Sequence, residues 1–257
     1  MSSTFNQAIT TAEKRITLYG RNTTLEVLNN PKLTVYRVHL ASSNRSSQVI
    51  ADIKSLCQRR DIPIKMHTKQ ALSRISKNSR QDQGVAIDIA APHQAELNTY
   101  LFDLDAVDQE FLLVDGVTNP QNLGMIIRSI AASTVTGLIL PKKGSAKLDP
   151  LVYKASAGCL LKTTILHCET VETAIAALQN HNFTLIGLDS HGSAALSIAE
   201  QSPRRVFILG NESEGLSDPA LAACHHLVCI PMRNEVESLN VAVSAGVIAF
   251  RHAFSRT

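Results

Sequence analysis

The chain has 257 residues and a net charge of +3, with 44% hydrophobic and 18% charged residues, as is typical of a folded protein with one or two domains. Aromatic residues make up 4% and Trp is absent, which argues against a surface built mainly on aromatic base-stacking platforms. Five cysteines without a CxxC pair, and the absence of a membrane-length apolar run or an apolar secretion block, predict a cytoplasmic protein without a membrane span.

Residues 1–93 are predicted to form a small α/β sandwich, because helix-like and strand-like stretches alternate along them. The predicted helices are Asn22–Leu28 with a side-chain cap, Ser47–Gln58 and Gln70–Ile75, and the predicted strands are Leu33–Leu40, Ile62–Met66 and Gly84–Ala90.

Charge is distributed unevenly along the chain. Residues 1–95 hold 14 Lys and Arg against 6 Asp and Glu, a net charge of +8, whereas residues 96–257 hold 11 against 16, a net charge of −5. This asymmetry predicts that the first block holds a polyanion, the alternative being a solvated basic face without a partner. The candidate phosphate contacts are Arg21, Arg45, Arg59, Arg60, Lys65, Lys69, Arg74, Lys77 and Arg80.

An acidic linker with room for one helix is predicted at residues 94–110, followed by a larger α/β domain at residues 111–257. The predicted strands are Phe111–Asp115, Gly137–Leu140, Thr163–His167, Phe183–Leu188, Val206–Leu209 and Leu227–Ile230, and the predicted helices are Gln121–Ala132, Leu151–Ala157, Val171–Gln179, Pro219–Cys224 and Asn240–Ala253. Apolar strands that alternate with helices predict a parallel sheet covered on both faces. Ligands of such sheets bind beyond the carboxyl ends of the strands, which points to the loops after Val114, Leu209 and Ile230.

Each of these three loops carries polar residues of the kind that ligand sites use. In the first loop, Asn122 lies near a predicted helix start and Arg128 follows six residues later; the alternative is a capped helix with a solvated Arg. In the second, Gly210 ends a strand and Glu212 stands in the next turn, which by itself is also compatible with a surface turn. In the third, Ser238 or Asn240 could serve only as a helix cap.

Together the three loops resemble a known set of motifs. The patterns Asn122-x-Gly-x-x-x-Arg128, Leu209-Gly-x-Glu212-x-x-Gly215 and Ile230-Pro-Met…Ser238-Leu-Asn240 are similar, in order and spacing, to the signature motifs of the SpoU/TrmH family of RNA 2′-O-methyltransferases. The stretch from Leu18 to Leu28 is similar to the start of the L30e-like RNA-binding domain of two-domain members.

The chain departs from the family pattern at two places. Asn211 stands where many relatives have a small residue, and Glu235 and Glu237 add negative charge just before Ser238. If these carboxylates face the RNA they weaken its binding, so the choice of substrate is less well defined by the resemblance than the choice of cofactor.

The resemblance implies an L30e-like domain followed by a parallel-sheet α/β domain with a C-terminal trefoil knot. It implies a homodimer with the active site near the subunit boundary and RNA as the substrate, with a guanosine of large-subunit ribosomal RNA favoured and transfer RNA as the alternative. It also implies S-adenosylmethionine as the cofactor, held by backbone groups around Leu209, Gly210, Ile230, Met232 and Leu239.

Methyl transfer to a ribose hydroxyl requires alignment of the 2′-oxygen and removal of one proton. A general-base role for Arg128 is physically demanding because a guanidinium keeps its proton, with a pKa above about 12. We therefore expect Arg128 to act electrostatically, with Glu212 orienting it through a bidentate pair. Asn122, Ser238 and Asn240 are expected to position the backbone and the ribose by hydrogen bonds.

Three other classes of function compete with this hypothesis. A catalytically inactive RNA-binding protein of the same fold is distinguished by an assay of labelled-methyl incorporation. A metal protein is suggested by Cys224, His225, His226 and Cys229, but no second ligand pair stands at a suitable spacing. A dinucleotide enzyme is disfavoured because no G-x-G-x-x-G follows a strand.

Overall fold

The computed structural model describes residues 15–91, 93–105 and 107–253, so the polar lead before Arg15 lies outside the described residues. The chain divides into two compact units, Met1–Pro92 and His93–Thr257. None of the helices in the described ranges combines the length and the apolar composition needed to cross a bilayer.

The first unit is built on a four-stranded mixed sheet with strand order β1-β4-β2-β3. Strand β4 is antiparallel to both of its neighbours, and β2 and β3 are parallel. Its elements in chain order are β1 (Arg15–Tyr19), α1 (Arg21–Asn29), β2 (Val35–Ala41), α2 (Gln48–Arg59), β3 (Ile64–His67), α3 (Lys69–Ser76) and β4 (Val85–Ala90).

Local sequence explains where the helices of the first unit begin. The Ser47 hydroxyl accepts from the Ile50 N–H at the start of α2, and the Thr68 hydroxyl accepts from the Ala71 N–H at the start of α3. The side-chain cap predicted for α1 is wrong, because α1 begins directly after Gly20, whose φ is 99° and which has no side chain to offer. Strand β1, which precedes it, was not predicted.

The second unit is built on a seven-stranded sheet with strand order β11-β9-β10-β6-β7-β8-β5, and every pairing in it is parallel. Its elements in chain order are β5 (Gln94–Glu96), α4 (Leu97–Phe102), β6 (Gln109–Val114), α5 (Pro120–Ala131), β7 (Gly137–Pro141), α6 (Pro150–Ala155), β8 (Ile165–Cys168), α7 (Val171–Asn180), β9 (Thr184–Leu188), β10 (Arg204–Leu209), α8 (Asp218–Ala223), β11 (His226–Val228) and α9 (Val241–Ala249).

The parallel sheet predicted from alternating apolar strands and helices is confirmed, with helices on both of its faces. Phe111 and Leu113 of β6 pack with α4, α7 and α8 in one core. Because side chains alternate along a strand, Leu112 and Val114 face the other side, where α5, α6 and α9 pack together.

Residues 94–110 contain the one helix that the sequence allowed for this acidic linker, but they also contain a strand and are packed against the second sheet. This segment carries β5, which pairs with β8, and α4, whose Leu97 and Leu101 are both 2% exposed. Glu110, the last of its acidic residues, is buried and binds both Arg205 and Arg251. Burial and ion pairing therefore make this acidic segment part of the second unit.

Candidate functional site

The candidate site lies at the carboxyl ends of β6 and β10, which are adjacent strands of the parallel sheet. Two side chains tie the loops that follow these strands to each other. The Asp115 carboxylate accepts from the Ser217 N–H at 2.7 Å, and the Asn211 amide donates to the Gly116 carbonyl at 2.8 Å. These two hydrogen bonds fix the loops against each other, so that together they form one wall of the candidate site without the help of a ligand.

Three polar side chains from the three predicted loops converge at this wall. Glu212 Oε1 accepts hydrogen bonds from the side-chain amides of Asn122 and of Asn240, the latter at 2.9 Å. The Asn240 amide also donates to Asn122 Oδ1 at 3.2 Å. Asn122 is only 5% exposed, so its amide depends on these partners.

Helix starts place two of these three residues. Helix α5 begins with Pro120 after Asn119, whose side chain accepts from the Gln121 N–H at 2.8 Å, and this fixes Asn122 in the first turn. Asn240 is the N-cap of α9 and accepts from the Ala242 N–H at 2.9 Å. Asn240 therefore caps a helix with its side-chain oxygen and binds Glu212 with its side-chain nitrogen.

Glu212 is placed by a tight turn. The backbone groups of Asn211 and Gly215 exchange two hydrogen bonds, of 2.8 and 2.9 Å, and Gly215 adopts a φ of 72°. A Cβ on Gly210 would lie 2.2 Å from the Gly215 carbonyl carbon, so only glycine permits this closure. A small recess that is open to solvent lies beside the turn; it is lined by Gly116, Val117, Thr118, Asn119, Asn211, Glu212 and Val241.

Arg128 and Ser238 are not part of this hydrogen-bonded group. Arg128 is exposed on α5, about 9 Å further along the helix axis than Asn122. Among the described residues it makes no ion pair with Glu212, whose hydrogen-bond partners are the two amides, so amide contacts replace the predicted bidentate pair. Ser238 is exposed, two residues before Asn240.

Most of the residues predicted to hold a cofactor have backbone N–H and C=O groups without backbone partners, in loops at the carboxyl ends of the strands. Gly210, Ile230, Met232 and Leu239 make no backbone–backbone hydrogen bond within the described part of the chain, and each is partly exposed. Leu209 differs, since it is buried and its carbonyl accepts from the Asp115 N–H at 2.8 Å. Unpaired donors and acceptors on neighbouring loops fit a heterocycle that is recognised by main-chain hydrogen bonds.

Sequence reasoning did not identify two residues that shape the site. Asp115 and Asn211 join the loops, and the signal that could have found them is a short polar residue directly after, or one residue beyond, a buried strand. Gly124, the glycine of the first motif, lies where α5 packs against α6, and a Cβ there would lie 2.4 Å from the Ala155 Cβ. Its function is helix packing.

Two residues of the cysteine and histidine cluster, Cys224 and His225, have environments that the structure defines. His225 Nδ1 accepts from the Leu185 N–H at 3.0 Å, next to the edge strand. Burial raises the pKa of the Cys224 thiol to about 11, which keeps it protonated. No group of three or more potential metal-ligating side chains occurs in the part of the chain that the structure describes.

The basic residues of the first unit divide into two groups. Arg60 donates to the carbonyls of Leu28, Asn30 and Leu33, and Arg21 donates to the Gln83 carbonyl, so both serve the fold. The other candidates for phosphate contact are exposed; they are Arg45, Arg59, Lys65, Lys69, Arg74, Lys77 and Arg80.

Comparison with known proteins gives matches along both units. A model described as the SpoU rRNA methylase family matches residues 110–250, and a model described as RNA 2′-O ribose methyltransferase substrate binding matches residues 17–95. Among curated relatives, the 23S rRNA (guanosine-2′-O-)-methyltransferase RlmB of Xylella fastidiosa is 31% identical over 242 residues, which cover 93% of this chain and 96% of the relative.

Solved structures share the fold at lower identity. The SpoU methyltransferase AviRb from Streptomyces viridochromogenes, in complex with the cofactor AdoMet, aligns with a TM-score of 0.67 and 21% identity, covering 94% of this chain and 91% of that one. The AdoMet-bound rRNA methyltransferase from Sinorhizobium meliloti aligns with a TM-score of 0.68 and 18% identity, covering 95% and 88%. At these identities the likeness concerns the fold.

Proposed function

The chain belongs to the SpoU rRNA methylase family, and we propose that it transfers a methyl group from S-adenosylmethionine to the ribose 2′-hydroxyl of a guanosine in large-subunit ribosomal RNA. The observation that carries the proposal is the convergence of Asn122, Glu212 and Asn240 beside an open pocket. The RlmB relative, which matches nearly the whole chain, is a 23S rRNA (guanosine-2′-O-)-methyltransferase, and this supports the choice of guanosine and of ribosomal RNA.

The cofactor supplies a methyl group that is already activated by its attachment to a positively charged sulfur. It would be held by backbone groups that have no backbone hydrogen-bond partner, namely those of Gly210, Ile230, Met232 and Leu239. Leu209 would contribute an apolar contact beside them. The protein must then bring the 2′-oxygen into line and accept one proton.

Glu212 is well placed to deal with that proton. One carboxylate oxygen, Oε1, holds both amides, and Oε2 makes no hydrogen bond within the described residues. We infer that Oε2 accepts the hydrogen bond of the 2′-hydroxyl and takes its proton as the bond between the oxygen and the methyl carbon forms and the carbon–sulfur bond breaks. Asn122 and Asn240 keep the carboxylate in position, and Ser238 contacts the RNA at the entrance.

A homodimer accounts for the position of Arg128. The exposed side of α5 and α9 carries large apolar residues, namely Met125 (43% exposed), Val243 (51%) and Val247 (37%). Such a side is suited to bury against a second copy of the chain. We propose that α5 of one subunit carries Arg128 to the site of its partner, where the guanidinium stabilises the charge that develops on the 2′-oxygen.

The path of the last helix supports a knotted chain end. Strand β11 is at the edge of the sheet, yet α9 packs against α5, which follows the more central β6. The segment between them therefore crosses the ends of β9 and β10, where the loops after those strands lie. A trefoil knot, which is rare among folds, is the arrangement that we propose here.

The first unit, which matches a substrate-binding model, is proposed to be the L30e-like domain that holds the RNA through its exposed basic residues. The domain limits that we propose follow the two compact units, so that the predicted limit of 1–93 is kept and residues 94–110 are joined to 111–257. We expect the protein to act in the cytoplasm, because that is where the proposed ribosomal substrate is found.

Transfer RNA is the second candidate substrate, since the exposed basic residues of the first unit would bind its phosphates equally well. It becomes the preferred candidate if large-subunit RNA is not modified by the protein.

A map of ribose methylation tests this function. Ribosomal and transfer RNA from cells with and without the protein are compared nucleotide by nucleotide. We expect one guanosine of large-subunit RNA to lose its 2′-O-methyl group when the protein is absent. Unchanged ribosomal RNA with a lost methyl group in transfer RNA would reassign the substrate, and no change in either would contradict the proposal.

A further inference from the structure

The loop between β7 and α6, residues 142–149, lies at the carboxyl end of the parallel strands, as the candidate site does. Strand β7 pairs with β6 on the side away from β10, so this loop lies next to the loop after β6. The Ala146 N–H donates to the Val117 carbonyl at 2.9 Å, and Val117 and Thr118 line the pocket. The loop therefore supports the pocket wall from outside.

Its three lysines have different environments. Lys142 Nζ lies 2.6 Å from a Glu169 carboxylate oxygen and 3.3 Å from a Glu96 carboxylate oxygen, so its charge is neutralised locally. Lys143 and Lys147 are exposed, and within the described residues neither has an acidic partner. Two uncompensated positive charges thus flank the segment that contacts the pocket wall.

The backbone between these two lysines also offers free hydrogen-bond donors. The N–H groups of Gly144, Ser145 and Lys147 make no backbone hydrogen bond in the described ranges. Gly144 has a φ of 78° and nothing within 4 Å of its Cβ position, so space is open above the turn. The Ser145 hydroxyl is a buried polar atom without a hydrogen-bond partner among the described residues. Free N–H groups, a hydroxyl and two ammonium groups are the donors that an oxyanion attracts.

The opposite side of the site has the opposite charge. Glu214, Glu235 and Glu237 are all exposed on the loops after β10 and β11, where they outnumber the exposed Arg233, and Glu212 lies at the pocket itself. A phosphodiester chain that approaches over those loops meets carboxylates, whereas one that approaches over residues 142–149 meets cations. This difference gives the site a preferred direction of approach for a polyanion.

We propose that residues 143–147 bind a phosphate of the RNA strand next to the target nucleotide, so that the strand enters over the β7–α6 loop and away from Glu214, Glu235 and Glu237. The inference rests on the proposed function, since it assumes that the bound polyanion is the RNA that is methylated. The same donors would also suit the carboxylate of S-adenosylmethionine, and the experiment separates these two sources.

The test uses the full-length protein with Lys143→Gln, Lys147→Gln and the double variant. The matched control is Lys162→Gln. Lys162 is also exposed, but it lies three residues before the start of β8 and so at the amino end of the parallel strands, opposite to the site. The probes are large-subunit ribosomal RNA from cells that lack the protein, whose affinity is measured at several salt concentrations, and S-adenosylmethionine alone.

For the double variant we expect an RNA dissociation constant about ten-fold higher at moderate salt. The slope of log affinity against log salt concentration should become shallower, by the amount that corresponds to the loss of about one to two phosphate contacts. We expect its affinity for S-adenosylmethionine and the RNA affinity of Lys162→Gln to stay at the parent values. In methylation assays the loss should fall on KM for RNA rather than on kcat.

Two results would overturn the inference: RNA affinity equal to that of the control variant, or a loss confined to S-adenosylmethionine, which would assign the loop to the cofactor carboxylate. The experiment distinguishes a failure of this inference from a failure of the proposed function. If the parent binds RNA but never methylates it, the binding measurements still decide the role of the loop; if the parent does not bind this RNA, both proposals fall.

Discussion

In the first unit, Asp88 of β4 accepts hydrogen bonds from His39 of β2 at 3.1 Å and from Thr17 of β1 at 2.8 Å, and His39 in turn lies 2.9 Å from His67 of β3. In the second unit, Glu212 accepts from Asn122 and Asn240, which lie in the first turn of one helix and at the cap of another. Both are carboxylates that accept hydrogen bonds from two side chains each, and Asp88 also lies 3.5 Å from Arg37 Nε. One network is carried by strands and the other by loops and helix starts.

The position of each network indicates what it serves. The strand-borne network joins side chains from all four strands of a sheet, and His39 is 5% exposed, so its loss should weaken folding. In the loop-borne network Glu212 and Asn240 are exposed and the sheet beneath them is complete without them. Its loss should therefore affect the alignment of a ligand more than the stability of the fold.

Substitution Asn122→Ala should give the largest effect, on activity. Without its amide, Glu212 loses one donor and Asn240 loses an acceptor, and we expect kcat/KM for methyl transfer to fall about 100-fold. The matched control is Gln121→Ala, the exposed neighbour on the same helix. If both variants transfer methyl groups at similar rates, the loop-borne network has no part in catalysis.

Substitution Asp88→Ala should lower the stability of the first unit by about 1–3 kcal/mol, because the buried His39 ring loses its acceptor. Hydrogen exchange of the β2 and β4 amides measures the change, with β6 of the second unit as an internal reference. Asp52→Ala is the control, since Asp52 accepts only an exposed hydrogen bond from Gln48 four residues earlier. A decrease in kcat with unchanged exchange would contradict the structural role.

Substitution Thr17→Val removes one donor to Asp88 and keeps a β-branched side chain of similar size. We expect a loss of about 1 kcal/mol in the same exchange measurement, smaller than the effect of Asp88→Ala. An effect as large as that of Asp88→Ala would mean that strand packing at Thr17, rather than its hydrogen bond, is what the network depends on.

The smallest expected effect is on pH dependence. Burial, and then the charges of His39 and Lys65, lower the pKa of His67 below 6.5 in the folded state. The unfolded chain therefore takes up a proton first, so stability is full above pH 6.5 and declines as the pH falls below it. For Asp88, burial opposes ionisation, but the hydrogen bonds from His39 and Thr17 outweigh it, so its pKa is also lowered and further stability is lost only in more acidic solution.

Calorimetric Tm values between pH 7 and pH 5 measure this effect, with His67→Gln as the comparison. The parent should lose Tm more steeply than the variant, because only the parent has an imidazole at position 67 that resists protonation. Parallel profiles would assign the pH dependence to other groups.

Much of the fold follows from the sequence because the second unit has uniformly apolar strands, such as Phe111–Val114, between helices with clear caps. The segment 94–110 did not follow, because its acidic residues suggest solvent and only tertiary pairing with Arg205 and Arg251 explains why Glu110 is buried. Strand β1 was missed for a related reason, since a strand at the edge of a sheet carries a weaker pattern of alternation.

The residues of the site were predictable because the motif residues lie in loops that follow the carboxyl ends of parallel strands in one sheet. Asn122, Glu212 and Asn240 meet because parallel strands present their loops at the same edge. The hydrogen-bond partners were not predictable: spacing does not reveal that Glu212 binds two amides rather than Arg128, or that Asn211 joins the two loops. Those contacts depend on side-chain directions, which sequence distance does not encode.

Single-turnover transfer of a labelled methyl group from S-adenosylmethionine to large-subunit ribosomal RNA, by Glu212→Ala and Glu214→Ala side by side, tests the central claim most directly. Both residues are exposed carboxylates of the same turn, but only Glu212 contacts Asn122 and Asn240. We predict a rate about 100-fold below the parent for Glu212→Ala and close to the parent for Glu214→Ala. Equal rates for the two variants would show that the convergence of the three loops is not where methyl transfer takes place.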